Sequence, residues 1–419
     1  MAGLKSEVDV AVIGAGSAGI AAARRLVEAG HLSVLVLEAR ERAGGRAWTV
    51  EADGMPMDLG CEWLHSADRN ALVPLAEELG FAINKHRPDW TTRLRYSGES
   101  EAAEADWLAE HEAFYWAMHR LAQEREDRPC SAALVPGGRW NALFEAVSTW
   151  ANAAELEDVS VKDHDRYQDS GINWRLHRGY GRLFTTLAEG LPIAYTAAAT
   201  RIDHRGSTLA IETSGGTVTA KRVIVAVPSA IIAEERLVFD PPSPDKLAAA
   251  AGLPLGLADK LFFHFDGEDV PERYLIGSTR RRETMSYQLR PFGRPRINCF
   301  FGGRFAAGLE RDGFAAMVAF ASDELAGLLG SDVRRRLRPI VASFWRRDEF
   351  ARGSYSYALP GHADDRARLA APVDDRLFFA GEACSLNFFS TAHGAYETGS
   401  AAAEAALASL RIKAGGGVR

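Results

Sequence analysis

Val8-Asp9-Val10-Ala11-Val12-Ile13-Gly14-Ala15-Gly16-Ser17-Ala18-Gly19-Ile20 lies near the start of the 419-residue chain and decides how the rest is read. A short apolar run over residues 8–13 meets Gly14-x-Gly16-x-x-Gly19, and residues 20–29 then read as a helix ended by Gly30. A second apolar run, residues 33–38, closes on Glu38. Strand, glycine turn, helix and strand make a βαβ unit, and an acid about 20 residues past the glycines completes a dinucleotide fingerprint. Three spaced glycines alone are weak; their place between strand and helix makes them specific. The glycines let backbone approach a pyrophosphate, and the helix start offers unpaired N–H groups. Glu38 can accept from ribose hydroxyls and disfavours a 2′-phosphate.

Just beyond Glu38 comes Arg42-Ala43-Gly44-Gly45-Arg46-Ala47-Trp48-Thr49. A Gly-Gly turn that brings Arg46 toward a pyrophosphate suits FAD rather than NAD. Farther out, residues 198–227 alternate like strands, with turn signals at Arg205-Gly206 and Gly215-Gly216, and end on a buried strand over 223–227. Residues 70–174 are polar and helix-rich. A helix is expected over 102–126 with Trp107, Leu108, Phe114, Tyr115 and Leu121 on its apolar face. Pro241-Pro242-Ser243-Pro244 marks a boundary, followed by strand-like runs at 260–265 and 296–301 and helices around 313–329. A strand over 376–380, a Gly/Ser/Thr loop and a small-residue helix over about 392–410 close the chain, with residues 414–419 expected to be disordered.

The fold class expected is α/β and α+β. A Rossmann-type FAD-binding domain, discontinuous over residues 1–69, 175–240 and 375–419, joins a substrate domain of mixed sheet plus helices over 70–174 and 241–374.

Composition excludes several function classes. A net charge of −7 and basic runs, Arg280-Arg281-Arg282 and Arg334-Arg335-Arg336, that lack interleaved aromatics argue against nucleic acid. No apolar run approaches the ~20 residues that span a bilayer, and residues 1–7 lack a leader pattern, so a cytoplasmic protein with no membrane partner is expected. Cys61, Cys130, Cys299 and Cys384 lie far apart with no CxxC, which predicts small buried thiols, no disulfide framework and no metal.

Further motifs appear in order: Asp58-Leu-Gly60-Cys-Glu-Trp63-Leu-His65, His177-Arg-Gly179-Tyr180-Gly181 and Val225-Ala-Val227-Pro228, then Gly256-Leu-Ala-Asp-Lys260-Leu-Phe262. Trp345, Gly353-Ser354-Tyr355, Phe379-Ala-Gly381-Glu382 and Thr391-Ala-His393-Gly394-Ala395 complete the set. With the fingerprint, this series resembles the FAD-dependent amine oxidase family of monoamine oxidases, polyamine oxidases, L-amino-acid oxidases and flavin histone demethylases, over nearly the whole chain.

The resemblance implies FAD as cofactor, a small-molecule amine and O2 as partners, and a monomer or homodimer. It assigns the cofactor to Gly14, Gly16, Ser17, Gly19, Glu38, Ala39, Arg40, Gly45, Arg46, Gly60, Cys61, Glu62, Trp63, Trp345, Gly381, Glu382, Thr391 and Ala392. Lys260 is the position the family hydrogen-bonds through water to flavin N5, where it can help move protons. Tyr355, His65 and Thr391 are the other implied catalytic candidates. A helix starting near Ala392 would turn its positive end toward the flavin pyrimidine ring, and Glu382 would hold the ribityl and phosphate region.

Two departures stand out. Ser354 occupies the position where monoamine oxidases carry the cysteine that bonds flavin, so the FAD is expected to be noncovalent. Tyr355 matches the first tyrosine of the amine cage, but Thr391 stands at the second, which moves the expected substrate from a simple monoamine toward a diamine or polyamine. Phe388 or Phe389 is the candidate replacement wall. The activity implied is hydride transfer from the α-carbon of an amine to FAD, reoxidation by O2 to H2O2 and hydrolysis of the imine. A desaturase or porphyrinogen oxidase on the same architecture, and a non-catalytic FAD-binding interaction protein, are the alternatives.

Overall fold

The computed structural model describes residues 6–88, 90, 94 and 97–415, with side chains to Arg411. The opening βαβ unit forms as expected, from strand Glu7–Ile13, helix Ser17–Glu28 and strand Val34–Leu37. The helix begins at Ser17 rather than Ile20 because the glycine motif itself makes the first turn, with Gly16 at the N-cap.

These strands belong to an eight-stranded sheet collected from distant parts of the chain. Its long strand Gly216–Val225 runs parallel to Glu7–Ile13, with Ile13 opposite Val225. On its other edge it pairs first with Leu209–Thr213, antiparallel, and then with Leu377–Phe379, parallel. Val34–Leu37 is apolar and buried at every position, as a parallel strand covered on both faces requires.

The final helix, Ala392–Gly415, lies against the first helix in an alanine-rich seam. A Cβ on Gly399 would stand 2.0 Å from the Ala18 carbonyl oxygen, so only glycine allows this crossing. Ser17 Oγ donates to the Ala392 carbonyl at 2.6 Å, tying together the starts of the two helices. The final helix runs past the expected end at 410 to Gly415; residues 416–419 lie outside the described residues.

A second, antiparallel sheet has the order Arg273–Ile276, Ser286–Leu289, Arg296–Gly302, Ala258–Phe265, Leu337–Ala342. Helices Gly303–Asp312 and Phe314–Leu329 cover its apolar face, broken at Gly313, whose φ is 91°. A third group, with helices Glu101–Ala122, Asn141–Ala151 and Val161–Arg166, packs around Trp107, Phe114, Trp140, Phe144 and Trp150. Leu108 and Tyr115 do not join that core: they are 44% and 38% exposed, because each follows a buried residue by one position and so turns away from the face that carries Trp107 and Phe114.

Cys130, Cys299 and Cys384 are buried free thiols, whereas Cys61 is only half-buried, beside a cavity. Among the described residues no helix is long and apolar enough to cross a membrane, and no group of three or more His, Cys, Asp or Glu is placed to hold a metal.

Candidate active site

One cavity of about 1030 Å³ runs from the glycine turn, over the face of the antiparallel sheet that carries Lys260, Asn298, Gln288 and Tyr274, into the helical group. Every cofactor and catalytic candidate named from the sequence borders it except Gly19. Gly19 serves the turn instead. A Cβ there would lie 1.7 Å from the Gly14 carbonyl oxygen, so its bare backbone lets the strand pass into the helix.

At the cradle end, two glycine turns meet. Gly44 N–H donates to Ala15 O at 2.8 Å, and Gly16 and Gly44 bridge. A Cβ on Gly16 would meet no protein atom within 4 Å, and the residue borders the cavity. No side chain caps the first helix, so its leading N–H groups remain free for an anion. Glu38, at the end of the neighbouring strand, is fixed by the N–H groups of Ala15 at 2.7 Å and Arg40 at 2.9 Å. An open glycine shelf, an uncapped helix start and an oriented buried carboxylate fit a dinucleotide pyrophosphate and ribose.

Arg46 does not project freely there. Its Nη1 donates to Glu382 Oε1 at 2.8 Å and to Ser354 O at 2.7 Å. Glu382 also accepts from Ser356 Oγ at 2.6 Å and Ser390 N at 3.0 Å. Burial would raise its pKa; Arg46, Ser356 and Arg366 more than offset that and hold the carboxyl below its usual range. Trp345 is buried and anchored through Nε1 to Leu59 O at 3.0 Å. A Cβ on Gly60 would strike Arg46 O at 1.7 Å, so Gly60 keeps this wall closely packed. Burial pushes the Cys61 thiol up to about 12, which leaves it a thiol and no nucleophile at neutral pH.

At the middle of the cavity stands Lys260, on Ala258–Phe265, 7% exposed. Its Nζ donates to Asp58 O at 3.0 Å and Glu62 Oε2 at 2.9 Å. Burial would raise the Glu62 carboxyl; Lys260, with Arg175 and Arg296, overcomes this and holds it at about 2. Ser354 Oγ bonds the Ala258 backbone twice, accepting from its N and donating to its O, both at 2.8 Å, which locks the Gly353-Ser354-Tyr355 loop onto the lysine strand.

Beyond Lys260 the wall becomes aromatic. Trp63 packs edge-on against Trp90 at 5.1 Å, and Trp90 against Tyr274 at 6.4 Å. Tyr167 and Phe389 form a second edge-on pair at 5.1 Å. Tyr355 borders this space, with its hydroxyl donating to Trp150 O at 2.5 Å. Thr391 lines the cavity, yet its hydroxyl accepts from Gly394 N at 3.0 Å and donates to Phe388 O at 2.7 Å. It caps the final helix, and the aromatic face beside it comes from Phe389; Phe388 packs instead on His393 and Arg69. His65 is held by Asn173 at 2.6 Å, and burial lowers its pKa, so it is a neutral imidazole.

Trp90, Trp150, Tyr167, Asp165, Asp169, Tyr274, Gln288 and Asn298 also line this end, and sequence reasoning named none of them as site residues. They come from separate helices, strands and connections and carry no spacing that marks them.

A profile of flavin containing amine oxidoreductases matches residues 17–149 and 89–407. Polyamine oxidase 2 of Arabidopsis thaliana is 31% identical over 94% of this chain and 87% of its own length. The chain belongs to the flavin-containing amine oxidoreductases. Polyamine oxidase 4 of Oryza sativa subsp. japonica is 30% identical over 95% of this chain and 88% of its own length. In fold, this amine oxidase is similar to a putrescine oxidase solved with putrescine bound (TM-score 0.77, 20% identity, 96% of this chain and 99% of that one). It is likewise similar to the cyclohexylamine oxidase of Brevibacterium oxydans IH-35A (TM-score 0.77, 19% identity, the same shares of the two chains). The chain is a flavin-dependent amine oxidase and its cofactor is FAD.

Proposed function

We propose that this enzyme oxidises a small amine, a diamine or polyamine-like one, at the carbon next to nitrogen. The products are an imine, hydrolysed in water to an aldehyde or ketone, and H2O2 from dioxygen. FAD, when bound, accepts the electron pair and passes it to O2. The observation that carries this reading is the position of Lys260, on the wall between the glycine cradle and the aromatic end of a single cavity.

The chain's own residues hold the reactants. Gly14, Gly16, Ser17 and Gly45 would take the pyrophosphate, Glu38, Ala39 and Arg40 the adenosine ribose, and Gly381, Thr391 and Ala392 the flavin end. On this reading residues 1–69, 175–240 and 375–419 form the cofactor half and 70–174 and 241–374 the substrate half. Ser354 offers no sulfur, which supports a noncovalent cofactor. Trp63, Trp90 and Tyr274 on one side and Tyr167 and Phe389 on the other would flank the amine.

Burial between these rings disfavours an ammonium, because desolvation penalises the charged form. The reacting nitrogen is therefore selected neutral, and kcat/KM rises with pH through the amine's own pKa. A profile flat from mildly acidic to alkaline pH removes that selection. A second, protonated nitrogen suits the carboxylates Asp165 and Asp169 on the helical side. The proposal is checked by a peroxide-coupled screen of primary amines, diamines, polyamines and amino acids. Turnover of diamines or polyamines above the rest is expected, and peroxide from none of the four groups defeats the reading.

A further inference from the structure

Lys260 is joined to a residue that comes from a different part of the chain and that the proposed reaction does not otherwise use. Glu62 follows the Gly60 wall, and its Oε2 accepts a hydrogen bond from Lys260 Nζ at 2.9 Å while Asp58 O accepts another at 3.0 Å. An ammonium has three N–H groups, so one is left for whatever fills the cavity. Glu62 Oε1 accepts no hydrogen bond, and Arg175 Nη1 stands 3.7 Å from it. Arg175 is itself clamped: its guanidinium lies over Trp63 at 4.7 Å and Phe292 at 4.3 Å, and Glu272 accepts from it at 2.9 Å. Glu62 thus pairs with Lys260 and faces Arg175, with Arg296 farther off, and the side chains of Lys260, Arg175 and Glu62 are only 9%, 7% and 11% exposed.

A buried ammonium with no counter-ion is driven out of position or loses its proton. Removing one member of a buried pair strands the other charge, whereas removing both need not. We propose that Glu62 is a positioning residue that anchors Lys260 and cancels its charge, so that the reacting centre meets one aimed N–H rather than an unbalanced, mobile cation. The Arg175 stack on Trp63 ties this anchor to the aromatic wall. The inference rests on the reading of Lys260 as the residue beside the flavin.

A double-mutant cycle tests it with two readouts other than turnover. In FAD-free protein, Glu62→Gln and Lys260→Met each lower Tm, by roughly 3–6 °C, and the double variant falls by clearly less than the sum. In the holoenzyme, the midpoint potential of bound FAD rises in Glu62→Gln, where a positive charge is uncovered, falls in Lys260→Met, and returns toward wild type in Glu62→Asp. A purely structural Glu62 would move Tm and leave the potential still. If Glu62→Gln does not fold, recovery of folding in Glu62→Gln/Lys260→Met supports the pairing, and a double variant no better than the worse single overturns it. Additive Tm losses with an unmoved potential also overturn it. Amine-dependent peroxide with no coupling sinks this inference alone, and intact coupling without peroxide from any amine sinks the amine-oxidising reading alone.

Discussion

The two ends of the cavity are built on different principles. The cradle end is made of backbone: two glycine turns, an uncapped helix start and one carboxylate fixed by two N–H groups, all within the βαβ unit and the few residues that follow it. The aromatic end is made of side chains delivered from separate helices, sheet strands and connecting segments, among them Trp63, Trp90, Tyr167, Tyr274 and Phe389. A backbone site depends on local conformation and tolerates little change at a few positions. A side-chain site is spread over many positions, each of which contributes modestly and can be exchanged to suit another substrate.

Lys260, where the two ends meet, carries the largest expected effect. Lys260→Met lowers turnover by about 10²- to 10⁴-fold, the range of a lost proton-transfer group, while the protein stays yellow. Stopped-flow of the reductive and oxidative half-reactions checks this. Unchanged rates in both would place the chemistry wholly in one end.

Within the cradle, two glycines of one motif separate. Gly16→Val fills open space, so FAD binds about 10- to 100-fold more weakly while the FAD-free protein keeps its Tm. Gly19→Ala strikes the Gly14 carbonyl, so the FAD-free protein itself loses stability. Titration with FAD and thermal unfolding distinguish these outcomes, and equal behaviour of the two variants would erase the distinction between shelf and turn.

Next comes pH. His393, 2% exposed and within the first turn of the final helix, is held at about 3 by burial and then by His65 and Arg69, against an ordinary 6.5. The unfolded chain takes this proton below pH ~6.5 and the folded chain does not, so stability is full above that pH and is lost as pH falls toward 3. Urea unfolding between pH 6.5 and 5 should show a loss on the order of 2 kcal/mol, flattened in His393→Asn. A slope unchanged by the substitution would show that other groups set the acid limit.

The smallest effect belongs to a single aromatic wall. Phe389→Leu removes its edge contact with Tyr167 and raises KM for the preferred amine about 2- to 10-fold, with kcat largely kept. A steady-state comparison across amines of different length would show whether this wall recognises shape or merely fills space.

Much of the enzyme is legible in its sequence, unevenly. Gly14, Gly16, Glu38 and Lys260 can be found there because their spacing follows from a turn, a strand end or a motif of neighbouring residues. Thr391 borders the cavity, but its hydroxyl caps a helix, and only the packing shows that Phe389, two residues earlier, lines the same space with a ring. Arg46 likewise reads as a cavity residue, yet its partner Glu382 is 336 residues away, and no spacing links the two.

What the sequence by itself determined is the dinucleotide cradle, the family and the position of the lysine, because each rests on a conformation or motif encoded within a few consecutive residues. The tertiary structure alone decided that Glu62 pairs with Lys260 across 198 residues and that five separate rings face one space. Those arrangements depend on long-range packing, whose distances no local spacing records.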